Sequence, residues 1–132
     1  MSGIENLGKL LRSMSPDLIK GEYVFCTVPN GKYGDYQDLS PLTSFIEAEG
    51  MTLVLTKENA DKSGLEYDGV FRCITLTVHS SLEAVGLTAA VSTKLSEHQI
   101  SANIIAAYFH DHVFVPARSV EKALTLLSEF CI

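Results

Sequence analysis

The sequence predicts an α+β protein made of two related ferredoxin-like halves, each a version of the order βαββαβ with helices on one face of an antiparallel sheet. Three observations predict it. Apolar periodicity switches between helical and extended spacing in the order α-β-α-β and then β-α-β-β-α. A polar, glycine-bearing stretch over residues 57–69 separates the two runs. The strand-helix-strand core of the second run recurs, abbreviated, in the first. The expected modules are therefore 1–69, the shorter version, and 70–132.

Each element has its own warrant. Ile4, Leu7, Leu11 and Met14 lie on one helical stripe, with Ser2 and Glu5 spaced as a capping box, so a helix is expected over about 3–12. Ser15-Pro16-Asp17 breaks it. Tyr23 to Val28 is aromatic and β-branched and stops at Pro29-Asn30-Gly31, which reads as a strand. After a loop to residue 39, Ser40 as N-cap, Pro41 at the first position and Gly50 at the end punctuate a second helix, its apolar face formed by Leu42, Phe45 and Ile46. Thr52 to Thr56 alternates as a strand.

In the second half, Phe71 to Val78 alternates cleanly. Ile74, Leu76 and Val78 take one face, and Phe71, Cys73, Thr75 and Thr77 take a less apolar face suited to solvent or a partner. A third helix starts between Ser80 and Val85 and runs to about Glu97, with Leu87, Val91 and Leu95 stacked. Residues 103–108 and 112–115 are apolar on both sides and read as an interior hairpin joined at His110-Asp111. A final helix follows Ser119. Five strands are visible where two complete units need eight. The fourth strand of the C-terminal unit must come from the N-terminal half or from another subunit.

Composition narrows the function classes. The chain has 132 residues, 46% hydrophobic and 20% charged, an ordinary globular mixture. Ten basic against sixteen acidic residues give a net charge of −6 with no basic run, which excludes an electrostatic footprint for nucleic acid or an anionic membrane. No apolar run approaches the ~20 residues of a membrane span. The N-terminus lacks signal-peptide character, and Cys26, Cys73 and Cys131 are odd in number and scattered, as expected of reduced thiols in a cytoplasmic protein.

Little in the chain suggests catalysis. His110-x-His112 has the strand spacing of a metal pair, but no third ligand has matching spacing, and a turn at His110-Asp111 explains it as well. Gly31-x-x-Gly34 lacks the Lys-Ser/Thr of a phosphate loop, and no serine has nucleophile-elbow glycines. No enzyme activity, cofactor or metal is expected. The segment Ser80 to Ala89 is different. Gly86 sits where a helix begins, although glycine costs about 1 kcal/mol in a helix. Either a bare backbone there admits a carboxylate to unpaired N–H groups, or Ser80 and Glu83 form an ordinary capping box and Gly86 fits a tight packing site.

Four stretches, 69–76, 80–89, 100–104 and 108–116, resemble in order the ACT domain, the βαββαβ ligand-sensing module of amino-acid metabolism. The whole chain resembles small stand-alone bacterial proteins with two such halves, and its C-terminal half is most similar to the modules of aspartate kinase and of the cytosolic arginine sensors of animals. The N-terminal half is similar mainly over Pro41 to Leu55. The resemblance implies binding rather than chemistry, with an amino acid held where strand passes into helix. By position, Gly86 and Leu87 would offer backbone N–H groups to its carboxylate, with Val85 beside them. Glu83 would face its amino group, Asn103 would line the pocket, and Ser80 and Ser81 would supplement them. The expected protein is a cytoplasmic, non-catalytic amino-acid sensor that forms a dimer or tetramer and contacts neither nucleic acid nor membrane. The alternative is a pure protein–protein assembly module using the Phe71–Thr77 face.

Overall fold

The computed structural model describes residues 6–78, 81 and 83–131. In chain order it contains α1 (Leu7–Ser13), β1 (Pro16–Leu18), β2 (Tyr23–Val28), β3 (Thr43–Glu47), β4 (Gly50–Thr56), α2 (Lys57–Lys62), β5 (Phe71–Leu76), α3 (Leu87–Ser96), β6 (Asn103–Ala106), β7 (Asp111–Pro116) and α4 (Val120–Ser128). These form two compact units, Gly21–Phe71 and a discontinuous one that joins residues up to Lys20 with Arg72 onward.

The discontinuous unit has strand order β1-β5-β7-β6, and its neighbours β1–β5 and β6–β7 are antiparallel. This is the ferredoxin-like order, and it answers the strand count. The missing fourth strand is β1, which pairs Pro16 with Leu76 and Leu18 with Ile74. Proline opens this strand because an edge position loses no ladder bond to the absent N–H. Leu10 and Met14 of α1 join Leu87, Val91 and Leu95 of α3 and Ala123 and Leu127 of α4 over the face formed by Ile74, Leu76, Val113 and Val115. All eleven are at most 4% exposed, so this is the main core. Helix α1 is capped by Asn6, whose Oδ1 accepts from Lys9 N at 2.9 Å; the expected Ser2–Glu5 box lies outside the described residues.

The continuous unit runs β3-β4-β2, all antiparallel, with Tyr23 opposite Phe71 at the start of β5. Val24, Cys26, Met51, Leu53 and Leu55 share one face and bury Ala60 of α2. Two expectations fail here. The helix expected from Pro41 to Gly50 is the strand β3 and a two-residue turn. Ser40 is left-handed (φ +50°) and cannot act as an N-cap. Gly50 (φ +153°) sits against β2, where a Cβ would lie 2.9 Å from Thr27 Oγ1. Phe45 and Ile46, adjacent in a strand, point to opposite faces and are 70% and 55% exposed.

The polar stretch read as a linker contains α2. Thr56 caps it by accepting from Asn59 N at 3.2 Å, and the i,i+4 pairs Lys57–Asp61 and Lys62–Glu58 line its surface. Only Ala60 is buried on it, so it carries no apolar stripe for periodicity to detect.

Smaller corrections follow from the same geometry. Strand β5 ends at Leu76, and α3 begins at Leu87. The hairpin turn comprises residues 107–110, not His110-Asp111, and β6 is a half-exposed edge rather than an interior strand. The supposed partner face of β5 is closed. Cys73 and Thr75 are buried, Thr75 Oγ1 lies 2.9 Å from His112 Nδ1, and only Thr77 is exposed.

Candidate functional site

In the discontinuous unit, β5 leads through residues 77–86 into α3. Gly86 is the N-cap residue, left-handed at φ +101°, a conformation that a side chain adopts only with strain. A Cβ there would also meet Leu7 Cδ2 at 3.0 Å. The packing explanation for this glycine is thus real, and so is the open backbone. Ala90 N makes the first helical bond, to Gly86 O at 2.9 Å. The N–H groups of Leu87, Thr88 and Ala89 therefore have no acceptor within the helix, no side chain among the described residues caps them, and no acidic residue occupies the first turn. The positive end of the α3 dipole is left open.

A cleft of about 550 Å³ lies at this helix start. Ser81 and residues 84–89 form one wall, and Ala106 and Asp111 form the other. The register explains the second wall. Ala106 pairs directly with Asp111 where the β6–β7 hairpin opens. Asp111 lies on the same face of β7 as Val113 and Val115, which are core residues, so its side chain points toward the helices. It is only 9% exposed. Burial pushes its carboxyl above the usual aspartate range, with the nearby charges of His112 and His110 acting the other way. No donor among the described residues bonds its carboxylate. One wall of the cleft thus presents unpaired N–H groups, and the other an unpaired buried acid.

Of the residues singled out in the sequence, Ser81, Val85, Gly86 and Leu87 line this cleft. Ser80 lies outside the described residues. Glu83 does not line the cleft: it is exposed in a tight turn, its N–H donating to Ser81 Oγ at 3.1 Å. Asn103 is at the far end of β6, three residues from Ala106 and hence about 10 Å away on the opposite face. Asp111 was missed because it read as half of a turn. The available signal was parity, since it is two residues before Val113 in an apolar alternating run.

The two histidines do not converge on a metal. His110 Nδ1 lies 3.3 Å from Val78 O, and His112 Nδ1 is engaged with Thr75. No group of three or more His, Cys, Asp or Glu with metal-binding geometry occurs among the described residues, nor is any helix there long and apolar enough to cross a membrane. The continuous unit has its own open cleft of about 470 Å³ beside β3, lined by Tyr33, Gln37, Ser40 and Ser44 among others. Its lining contains no buried charge.

Residues 2–72 and 70–129 each match the ACT domain in sequence. A Vibrio cholerae protein of unknown function, described as a possible transport protein, is 56% identical over 99% of this chain and 100% of its own, with a TM-score of 0.88. A protein from Agrobacterium tumefaciens is 16% identical with a TM-score of 0.74, covering 89% of each chain. The regulatory subunit of aspartate kinase from Thermus thermophilus has a TM-score of 0.60 at 11% identity, covering 89% of this chain and 97% of its own. No curated protein matches the chain in sequence.

Proposed function

The chain belongs to the ACT-domain family, whose members are regulatory modules, and from that premise we propose that it is a non-catalytic protein that binds an amino acid in the cleft before α3. The supporting observation is the opposition of Asp111 to the uncapped helix start. An α-carboxylate would accept from the N–H groups of Leu87, Thr88 and Ala89, at the positive end of the helix. The α-ammonium would pair with Asp111 and relieve its burial. The modules divide near residue 70, and the C-terminal one carries the ligand. Free Cys26, Cys73 and Cys131 fit a cytoplasmic setting.

A thermal-shift panel of the twenty amino acids at millimolar concentration tests the reading. A ligand that binds only the folded state must raise the Tm, by about 2.7 kcal/mol of stabilisation at one hundred times its Kd. A flat response to all twenty would overturn it.

Assembly without a metabolite is the second reading, and one feature favours it. Edge strand β3 is open on one side and carries exposed Phe45 and Ile46, with Leu42 just before it. Homo-oligomerisation through such an edge is compatible with sensing. It stands alone only if no amino acid binds.

A further inference from the structure

We infer that the cleft selects amino acids whose side chains are uncharged, discriminating by charge rather than by size. This rests on the amino-acid reading above and sharpens it. At about 550 Å³ the cleft admits any of the twenty, so volume does not choose.

The described walls supply two electrostatic features. One is the partial positive end of α3, with three N–H groups lacking acceptors. The other is Asp111, nine-tenths buried and without a donor. Together they match the two charges of one zwitterion. Beyond them the described lining is Ala84, Val85, Leu87, Ala89 and Ala106, with no Lys, Arg, His or Glu among the described lining residues. The Ser81 hydroxyl accepts from Glu83 N and keeps its own O–H to donate. Thr88 is the second hydroxyl.

A third charge on the ligand therefore has no counterpart among the described lining residues. A side-chain carboxylate would find no cation among them and would be repelled by Asp111. A side-chain ammonium or guanidinium could compete for Asp111, but only by leaving the α-ammonium unmatched. Specificity of this kind comes from what the site refuses to pair. Aliphatic and small hydroxyl side chains meet an apolar wall and the hydroxyls of Ser81 and Thr88.

The test is calorimetric titration of the intact chain near pH 7 with alanine, valine, leucine, threonine, aspartate, glutamate, lysine and arginine. The expected result is a neutral amino acid bound at least about tenfold more tightly than any of the four charged ones, with all binding lost in Asp111→Asn. A second variant, Ala106→Lys, places a cation on the exposed edge strand at the cleft wall and should move the preference toward aspartate and glutamate. Tightest binding of a charged amino acid, lost in Asp111→Asn, would overturn the selectivity and leave the sensing function standing. An unchanged order in folded Ala106→Lys would likewise overturn the charge argument. No heat with any of the eight, together with a flat thermal panel, removes both.

Discussion

A carboxylate drawn partly out of water weakens the fold that carries it once it ionises, and Asp111, mostly buried in the cleft wall, is such a group. Because burial raises its folded pKa above the unfolded value, its contribution to stability is present below about pH 4 and is lost as the pH rises through the raised value. At neutral pH the charge is a net liability. Asp111→Asn should therefore raise the Tm of the ligand-free protein by a few degrees at pH 7, with the gain vanishing near pH 3.5. It should also abolish the response to amino acids. Thermal unfolding at the two pH values checks both signs, and a lower Tm at pH 7 would show that the acid has a stabilising partner. In the wild type, ligand affinity should fall at a higher pH than an ordinary aspartate would dictate. Gly86 is a poorer probe. Its positive φ and the nearness of Leu7 mean that any side chain disturbs the fold and the site together.

At the scale of elements, the sequence was legible wherever burial imposed a period. Strands β2, β4, β5 and β7 and helices α3 and α4 each place an apolar stripe on a core, and each lies close to its expected span. Elements without such a stripe were misread. Helix α2 buries one alanine and depends on its cap and ion pairs. Strand β1 is three residues long. In β3 the spacing of Leu42, Phe45 and Ile46 suits a helix, yet neighbouring strand pairing decides the conformation, because exposed positions leave no pattern for a core to enforce. The site followed the same logic. The helix start was found through an anomalous glycine, whereas Asp111 depends on a register that only folding reveals. Helix α1 offers a test of where its segment belongs. Leu10 is fully buried against the core of the discontinuous unit. Leu10→Ala should cost about 2–5 kcal/mol, read as a lower denaturant midpoint, with an unchanged midpoint counting against that placement.

For the whole molecule, the open edge of β3 is the feature with consequences beyond one chain. Two adjacent exposed apolar residues on opposite faces make an edge suited to another strand. Phe45→Lys should shift sedimentation toward smaller species at micromolar concentration while leaving the Tm within about 2 °C. An identical distribution of species would overturn assembly through this edge. The discontinuous unit has a different consequence, one of timing. Strand β1 leaves the ribosome well before its partner β5, and Ser15 and Thr77 hydrogen-bond across 62 residues of sequence. Until that length has been made, β1 has nothing to pair with, while Gly21–Phe71 already holds most of its own partners. The segment Gly21–Phe71 can therefore fold before the unit whose two pieces flank it, and the cleft cannot form until both α3 and β7 have been made.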